Sequence, residues 1–340
     1  MSATPDTICT GARLPELDAL RGLSALAVGL YHLTYFAPFV LPGVHRSSVP
    51  IWWGCYGVQV FFAISGFVIL GSLDRTRGLG SFCRARAARI FPEYWVAMII
   101  TACVAALLGP PKLRVDLSAW IANLPLLQLW TGVKMIDSVY WSLNVEIIFY
   151  AAMALAWRCG WTRRIEMVVL AWLVVKWTAW ACPILPAGIE QLLMVQHAPY
   201  FAVGLVNYRI WAGQRRVAEQ LPILTACAVT VWLLDPIHAH WLFAAMVPLF
   251  LLLAGNRLRA LGHPVLLWMG RMSYPFYLLH GAVGYSVIYQ LSAAGWGPNT
   301  AAVAALVTGG LLAMGLEHLV RAGRQASSGL MDHPTKVALA

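Results

Sequence analysis

Two basic side chains at a fixed spacing stand out in the first apolar stretch of the chain. Arg21 and His32 are eleven residues apart in LDALRGLSALAVGLYH. At 3.6 residues per turn, this spacing returns both side chains to one helix face, about 16 Å apart along the axis. An ionisable residue in such a stretch is costly and indicates a functional site. Alternatively, Arg21 extends to a membrane interface and pairs with Asp18, and His32 is a hydrogen-bonded core residue.

A hydroxyl and a carboxylate share a face of a later apolar stretch, YWSLNVEIIFY. Ser142 and Glu146 are four residues apart, so they lie on one side of a helix. If that helix begins at the outer surface near residue 139, Glu146 lies about 10 Å deep, at a level similar to that of His32. A buried carboxylate beside an imidazole can fix its tautomer and stabilise its cation. The alternative is a structural ion pair that joins two helices.

A third candidate group lies in GRMSYPFYLLH. Ser273, Tyr277 and His280 recur at helical spacing on one face. Pro275 can loosen the backbone so that Ser273 and Tyr274 also face inward. We interpret these side chains as supporting residues of the same site, with a belt of interfacial tyrosines as the alternative.

Two arginines precede the third apolar stretch, in SFCRARAARIFPEYW. Arg86 and Arg89 are three residues apart and would share a face at a helix start, where free backbone N–H groups lie beside both guanidinium groups. This combination suits a phosphate group. A topology signal or a contact with anionic lipid would use the same residues.

The composition shows which elements must position these residues. Of the 340 residues, 60% are hydrophobic and 11% charged, against roughly 45–50% and 25% in soluble domains. The hydrophobic residues form many separate stretches, each near the roughly 20 residues that span a bilayer. The sequence therefore predicts an all-α, polytopic transmembrane bundle of about ten helices. We place them at residues 20–41, 56–73, 91–109, 139–157, 166–182, 191–211, 221–234, 239–254, 264–291 and 299–320.

The loops between these helices predict the orientation. Arginines cluster after the second, fourth, sixth and eighth helices, and the alternate loops are poor in them. By the positive-inside rule, both termini are then cytoplasmic. Because the basic residues lie in short loops, the net charge of +10 does not indicate nucleic acid binding. The seven cysteines show no spacing typical of metal or redox sites, so no metal is expected.

The predicted domains are a cytoplasmic N-terminal segment (1–19), a transmembrane domain (20–320) and a short cytoplasmic tail (321–340). Two segments have alternatives. Residues 110–138 are apolar but short and broken by proline, which indicates an interfacial or re-entrant piece. Residues 221–254 form either two spanning helices or a re-entrant pair.

Five segments of the chain, in the order given next, resemble the membrane-bound acyltransferase-3 family over about Leu17 to Arg321. The matching segments are the arginine and histidine of Arg21 to His32, GVQVFFAISGFVI at Gly57 to Ile69, RAARIFPEYW at Arg86 to Trp95, WSLNVEIIFY at Trp141 to Tyr150 and SYPFYLLH at Ser273 to His280. Members of that family transfer acyl groups from a coenzyme A thioester to sugars, exopolysaccharides, lipopolysaccharide, peptidoglycan and some small molecules.

The resemblance implies roles for the matched residues. His32 would be the catalytic base or acyl acceptor, Arg21 its required partner and Glu146 a further essential polar group. Arg86 and Arg89 would bind the acyl-CoA, with acetyl-CoA as the default donor. The implied protein is a multi-pass O-acyltransferase of a cell membrane, expected to be a bacterial inner membrane, with a carbohydrate acceptor. Without an esterase-like extracytoplasmic domain, it would act alone or pass its product to a separate extracytoplasmic protein.

A transporter or flippase is the alternative function, with Arg21, His32 and Glu146 as a substrate or proton path. It explains the buried charges but not the arginine pair, and no inverted repeat is visible in the sequence. Within the acyltransferase reading, direct transfer and an acyl-His32 intermediate both fit. The acyl group, the acceptor and the oligomeric state stay open.

Overall fold

A computed structural model describes residues 14–182 and 186–331, with side chains through residue 325. Regular structure within these ranges is helical, and no strand is present there. The predicted N-terminal segment 1–19 and tail 321–340 lie partly outside the described residues.

The long helices are numbered in chain order. They are α1 (Pro15–Val40), α2 (Gly57–Asp74), α3 (Leu79–Leu107), α4 (Trp141–Arg158), α5 (Ile165–Ala181), α6 (Ala198–Trp211), α7 (Val217–Leu234), α8 (Ile237–Ala254), α9 (Pro264–Leu279), α10 (Ala282–Ala293) and α11 (Pro298–Met331). Within the described ranges, seven helical segments are long and apolar enough to cross a membrane, namely those containing α1, α2, α3, α4, α7, α8 and α11. The prediction of a polytopic helical bundle is confirmed.

Several helix boundaries differ from the predicted ones, and two of these differences affect the site residues. The stretch predicted as one helix over 264–291 is two helices, because the helix is interrupted at His280 and Gly281. The third stretch begins at Leu79 rather than near residue 91, so its first turns lie among charged residues that the apolar pattern did not include. For residues 221–254, α7 and α8 have 18 residues each, which favours two spanning helices over the re-entrant alternative.

The short helix α6 lies in the middle of the second half of the bundle. It has 14 residues and is buried on all sides, as expected for a helix that is apolar all round. It packs against α2, α5, α7 and α8. A helix in this position contacts protein rather than lipid, so its length is not set by the bilayer.

Glycines allow two pairs of helices to approach closely. A Cβ at Gly22 of α1 would lie 2.7 Å from the backbone nitrogen of Gly270 in α9, and a Cβ at Gly204 of α6 would lie 1.8 Å from the carbonyl oxygen of Ala63 in α2. Small residues are the usual means of such backbone contact between membrane helices. These contacts fix α1 against α9 and α2 against α6, the two pairs that position the site.

The loops rich in arginine meet at one end of the bundle, termed the arginine-rich end. Arg209, at the end of α6, lies 3.5 Å from Glu166 of α5 and donates a hydrogen bond to the carbonyl oxygen of Arg163. Gln214 in the next loop donates to Asp74 at the end of α2. The described residues thus place the loops after α2, α4 and α6 together, as the charge pattern requires. Their cytoplasmic orientation stays a prediction.

The segment between α3 and α4 contains only short helices, Leu117–Asn123 and Gln128–Thr131. The hydroxyl of Tyr94 in α3 donates to the carbonyl oxygen of Asn123 at 2.8 Å. The amide of Asn123 donates in turn to the carbonyl oxygen of Lys134 at 2.9 Å. Neither helix is long enough to cross a membrane, which fits an interfacial or re-entrant segment that folds back on α3.

Candidate active site

Helices α1 and α9 bring two histidines into contact. His32 lies in a π-helical turn of α1, Tyr31–Phe36, and His280 is the residue at which α9 ends. Nδ1 of His32 lies 3.0 Å from Nε2 of His280 and 3.0 Å from the carbonyl oxygen of Val28. His280 is fully buried, whereas His32 is partly exposed. Such π-helical turns within α-helices are frequent at functional sites.

The hydrogen-bond partners of the two rings determine their tautomers when both are neutral. Nδ1 of His280 lies 2.8 Å from the carbonyl oxygen of Tyr277, which can only accept. His280 therefore donates from Nδ1, and its Nε2 is an acceptor. His32 must then donate from Nδ1, shared between Nε2 of His280 and the Val28 oxygen. Consequently Nε2 of His32 carries no proton and is available as a base.

Asp137 stabilises the interruption between α9 and α10, beside His280. Its Oδ2 accepts a hydrogen bond from the backbone N–H of Ala282 at 2.6 Å, and its side chain is buried. Gly281 lies against the same carboxylate, since a Cβ there would be 2.4 Å from Oδ1. Asp137 thus caps the start of α10 and, through Gly281, holds His280 at the end of α9.

A narrow cavity lies between α1, α2, α3, α4 and α9 and is termed the inner pocket. Its volume is about 70 Å³. It is lined by Arg21, Phe61, Phe62, Ile64, Ser65, Arg89, Ile90, Ser142, Leu143, Glu146, Tyr150, Ser273, Tyr274 and Tyr277. Seven of the ten predicted site residues are in this lining, and the other three, His32, Arg86 and His280, are not.

Glu146 holds hydroxyl groups around the inner pocket. Its Oε1 accepts a hydrogen bond from Ser65 of α2 at 2.8 Å and another from Tyr150, one turn further along α4. Arg21 and Arg89 line the same pocket, and Arg21 also lies 3.3 Å from Asp18. The pocket therefore combines two cationic groups, one carboxylate and several hydroxyls.

Tyr277 connects the inner pocket to the histidine pair. Its hydroxyl donates to the carbonyl oxygen of Val139 at 2.9 Å and lies 2.6 Å from Oγ of Ser142. Its ring centroid is 5.4 Å from that of His280, and its carbonyl oxygen is the acceptor that fixes the His280 tautomer. One residue thus contributes a side chain to the pocket and a backbone group to the histidine pair.

The two remaining predicted supporting residues have backbone partners. Ser273 donates from Oγ to the carbonyl oxygen of Gly270, one turn earlier in α9, at 2.7 Å. The hydroxyl of Tyr274 donates to the carbonyl oxygen of Ile90 in α3 at 3.0 Å. Tyr274 therefore ties α9 to the helix that carries the two arginines.

Arg86 and Arg89 share a face of α3, but not at its start. Because α3 begins at Leu79, both lie inside the helix, and the predicted free backbone N–H groups are not beside them. Arg89 lines the inner pocket and is also exposed to solvent. Arg86 lies 3.4 Å from Oγ of Ser72, and within the described residues its buried Nε has no hydrogen-bond partner. An unpartnered guanidinium nitrogen beside a second arginine suits an anionic group.

Comparison with known proteins identifies the family of the chain. The model of the acyltransferase-3 family, described as an acyltransferase domain, matches residues 14–318. The chain belongs to this family. It is therefore a multi-pass membrane acyltransferase, not the transporter or flippase that the buried charges alone also allowed.

Three curated proteins are similar to this acyltransferase. Acyltransferase MdmB of Streptomyces mycarofaciens is 28% identical over 353 residues, covering 88% of this chain and 89% of that protein. Nodulation protein 10 of Rhizobium leguminosarum bv. viciae is 26% identical, covering 71% of this chain and 73% of its own. Exopolysaccharide production protein ExoZ of Rhizobium meliloti is 33% identical over 112 residues, which cover 30% of this chain and 33% of that protein. No solved structure matches the chain significantly.

The structure gives His32 a different partner from the one expected. The hydrogen bonds of His32 go to His280 and Val28, and those of Glu146 go to Ser65 and Tyr150. The reason is the arrangement of the helices in the membrane plane, because α1 packs most extensively against α9. Equal depth in a bundle does not determine which helices are neighbours.

Three residues of the candidate site were not predicted. Ser65 lies within the quoted segment GVQVFFAISGFVI, and Tyr150 is four residues after Glu146 on the same helix face, so both carried a signal. Asp137 carried none, because its role depends on a contact with Ala282 that only the fold creates. Within the described ranges, no group of three or more histidine, cysteine, aspartate or glutamate side chains is placed to hold a metal ion.

Proposed function

We propose that this acyltransferase moves an acyl group, acetyl by default, from acyl-CoA to a hydroxyl of a carbohydrate. The acceptor would be a cell-envelope or extracellular polysaccharide or its lipid-linked precursor. The observation that carries the chemistry is the contact of His32 with His280, whose hydrogen bonds leave Nε2 of His32 unprotonated when both rings are neutral. The name of ExoZ, an exopolysaccharide production protein, supports the class of acceptor.

His32 acts as a general base in this mechanism. Its Nε2 takes the proton of the acceptor hydroxyl, and the oxygen attacks the thioester carbonyl. The new C–O bond forms, the C–S bond breaks, and the departing thiolate takes the proton back from His32. His280 accepts a hydrogen bond from His32 and so stabilises its cation, the role that the sequence had given to Glu146. In the alternative route, the same nitrogen attacks the thioester carbonyl first, so that a C–N bond forms, the C–S bond breaks and the thiolate leaves. The acceptor hydroxyl then displaces His32 from this acyl-His32 intermediate, and its proton goes to the thiolate.

The inner pocket suits only the acyl end of the donor. Pockets for whole small molecules measure roughly 300–1,000 Å³, whereas the inner pocket measures about 70 Å³. The nucleotide must then lie outside it. Arg89 is exposed beside the pocket and shares a helix face with Arg86, so these two guanidinium groups can bind the phosphates of coenzyme A.

The orientation of the bundle completes the proposal. The inner pocket is lined by Arg21 and Arg89, which we place towards the cytoplasm on the charge pattern of the loops. Acyl-CoA would therefore bind from the cytoplasm of a bacterial cell, at the inner membrane. The product is used directly or passed to a separate extracytoplasmic protein.

The test is acyl transfer by the purified protein in lipid nanodiscs. With radiolabelled acetyl-CoA as donor, we expect release of free coenzyme A and labelling of a carbohydrate acceptor, both dependent on His32. A protein that folds and binds acetyl-CoA but releases no coenzyme A above the level of the His32→Ala variant would contradict the proposal.

A further inference from the structure

A second, larger cavity opens at the end of the bundle opposite to the arginine-rich end, and is termed the outer cavity. Its volume is about 500 Å³, within the range of ligand-binding pockets. Its lining includes Tyr56, Gln59, Lys176, Trp180, His197 and Asp235. These residues come from the outer ends of α2 and α5, from the loop before α6 and from the turn between α7 and α8.

Polar groups in this cavity are held in fixed positions. Nζ of Lys176 lies 2.6 Å from Oδ1 of Asp235, and the lysine side chain is only 6% exposed. The hydroxyl of Tyr200 donates to the other carboxylate oxygen at 3.3 Å. Replacing such buried ion pairs by apolar residues is often neutral or stabilising, so stability alone does not account for this pair. It supplies fixed hydrogen-bonding groups to the wall of a cavity.

Two further lining residues have groups that the described part of the fold does not use. The buried Oε1 of Gln59 has no hydrogen-bond partner within the described residues. Trp180 leaves 61% of its surface exposed at the edge of the cavity. An unused acceptor is costly when buried, and an exposed aromatic ring offers a flat apolar face. An apolar ring face of a ligand would cover Trp180, and a ligand hydroxyl would reach the Gln59 acceptor once the glutamine side chain rotates towards the cavity, because Oε1 is buried in the structure.

The charge of the lining favours a neutral ligand. Glu190 also lines the cavity, so one cation, Lys176, faces two carboxylates, those of Glu190 and Asp235. An anionic ligand would meet net repulsion there. A neutral sugar unit carries the hydroxyl groups that these side chains can bind.

Aromatic side chains separate the outer cavity from the inner pocket. Phe62 lines the inner pocket, and its ring centroid is 4.7 Å from that of His197, which lines the outer cavity. His197 is in turn 5.6 Å from the ring of Trp141. The layer between the two spaces therefore consists of two side chains in contact, Phe62 on the side of the inner pocket and His197 on the side of the outer cavity.

One lining residue of the outer cavity, Tyr56, belongs to a short helix that packs beside Tyr31 and His32. Tyr56 ends the short helix Trp52–Tyr56, which packs on α1, since a Cβ at Gly54 would lie 3.0 Å from Cβ of Tyr31. The rings of Tyr31 and His32 are 5.0 Å apart. A ligand in the cavity would thus contact Tyr56, in a short helix that packs against the segment carrying the base.

We infer that the outer cavity is the acceptor site and binds a neutral sugar unit, with Gln59 and the Lys176–Asp235 pair binding hydroxyl groups and Trp180 covering a ring face. This inference rests on the proposed function for the identity of the reaction. Binding of the sugar does not depend on turnover, however, and can be measured separately.

The test combines binding and kinetics on the full-length protein in nanodiscs. The probes are p-nitrophenyl glucoside, galactoside and mannoside, with p-nitrophenyl phosphate as the anionic comparison, and binding is followed by saturation-transfer NMR. The variants are Gln59→Leu and Trp180→Ala. The matched control is Trp232→Ala on α7, whose side chain is equally exposed at 61% and does not line the outer cavity.

We expect at least one hexoside to bind, and Gln59→Leu and Trp180→Ala each to weaken binding about tenfold, the loss of one buried contact. Trp232→Ala should bind like the parent. In transfer assays, the Michaelis constant for the acceptor should rise by the same factor. No hexoside binding, preferential binding of the phosphate, or unchanged binding in both variants would overturn the inference. Hexoside binding without acyl transfer by the parent would instead refute the proposed function.

Discussion

The inner pocket and the outer cavity differ in volume and in charge. The inner pocket measures about 70 Å³ and combines Arg21 and Arg89 with a single carboxylate, Glu146. The outer cavity measures about 500 Å³ and combines one lysine with two carboxylates. A narrow cationic pocket suits the acyl end of an anionic donor, and a wide cavity with more acid than base suits a neutral acceptor. The two spaces thus differ as a donor site and an acceptor site would under the proposed function.

The histidine pair stands apart from both spaces. His32 and His280 are in neither lining, yet Tyr277 connects them to the inner pocket and Tyr31 connects them to the turn that borders the outer cavity. If donor and acceptor bind at opposite ends, the base must lie where the two substrates can meet. Variants of the histidine pair should therefore affect turnover, whereas variants at either end should affect the binding of one substrate.

The largest effect is expected from His32→Ala. General bases contribute about 10²–10⁴-fold to the rate, so kcat for transfer should fall by about a thousandfold. The protein should remain inserted and folded, because His32 is partly exposed and contacts few polar groups. The matched control is His318→Ala, an exposed histidine of α11, which should behave like the parent. Full activity of His32→Ala would contradict the assignment of His32 as the base, and His280 would become the candidate.

A smaller effect on kcat is expected from Asp137→Asn. The amide keeps the shape of the side chain but cannot accept from two backbone N–H groups as the carboxylate does. His280 should shift, and misplacement of a catalytic group by about 1 Å can cost about a hundredfold. We expect kcat to fall by roughly that factor, with both Michaelis constants unchanged.

The control for Asp137 is Asp116→Asn. Asp116 also caps a short helix, and the hydrogen bond from the N–H of Ala119 lowers the pKa of its carboxyl. It is exposed and lies in the segment between α3 and α4, so its substitution should leave kcat unchanged. If both variants lost activity equally, or if Asp137→Asn raised a Michaelis constant instead of lowering kcat, Asp137 would not be a positioning residue for His280.

The donor end is tested by replacing Arg86 and Arg89 together with lysine. Lysine keeps the charge that membrane orientation depends on but lacks the planar fork that binds phosphate. The double variant should insert normally, show a donor Michaelis constant raised about tenfold, and recover rate at high acyl-CoA. Arg84→Lys, two residues before Arg86 at an exposed position, is the control. Unchanged donor kinetics in the double variant would mean that these arginines serve only topology or lipid contact.

The sequence predicted the parts of the molecule that depend on one helix at a time. Apolar length located the bundle, and helical spacing placed Ser142 and Glu146 on one face, where both line the inner pocket. It could not predict which helix faces which, because that depends on small residues such as Gly22 and Gly270, whose backbones meet. For this reason the sequence paired His32 with Glu146, whereas the hydrogen bond of His32 goes to His280, which was already among the candidates.

The interruption of the helix at His280 was also not predictable from the sequence. Hydropathy continues without interruption through residues 264–291, and the break depends on a carboxylate more than a hundred residues away, that of Asp137. Positions that depend on long-range polar contacts between helices leave no periodic signal. The outer cavity was missed for the same reason, since its lining comes from four separate parts of the chain.

The smallest change, which should leave activity unaltered, tests the orientation on which the comparison of the two ends depends. In a variant whose native cysteines are replaced by serine, single cysteines are placed at Gly78, before α3, and at Gly188, in the loop before α6. A Cβ at either position meets no atom within 4 Å, so both substitutions should be tolerated. The positive-inside rule predicts that a membrane-impermeant maleimide added to intact cells labels residue 188 and not residue 78. Labelling of residue 78 from outside would invert the bundle. The outer cavity would then face the cytoplasm, and the donor and acceptor assignments of the two ends would have to be exchanged or abandoned.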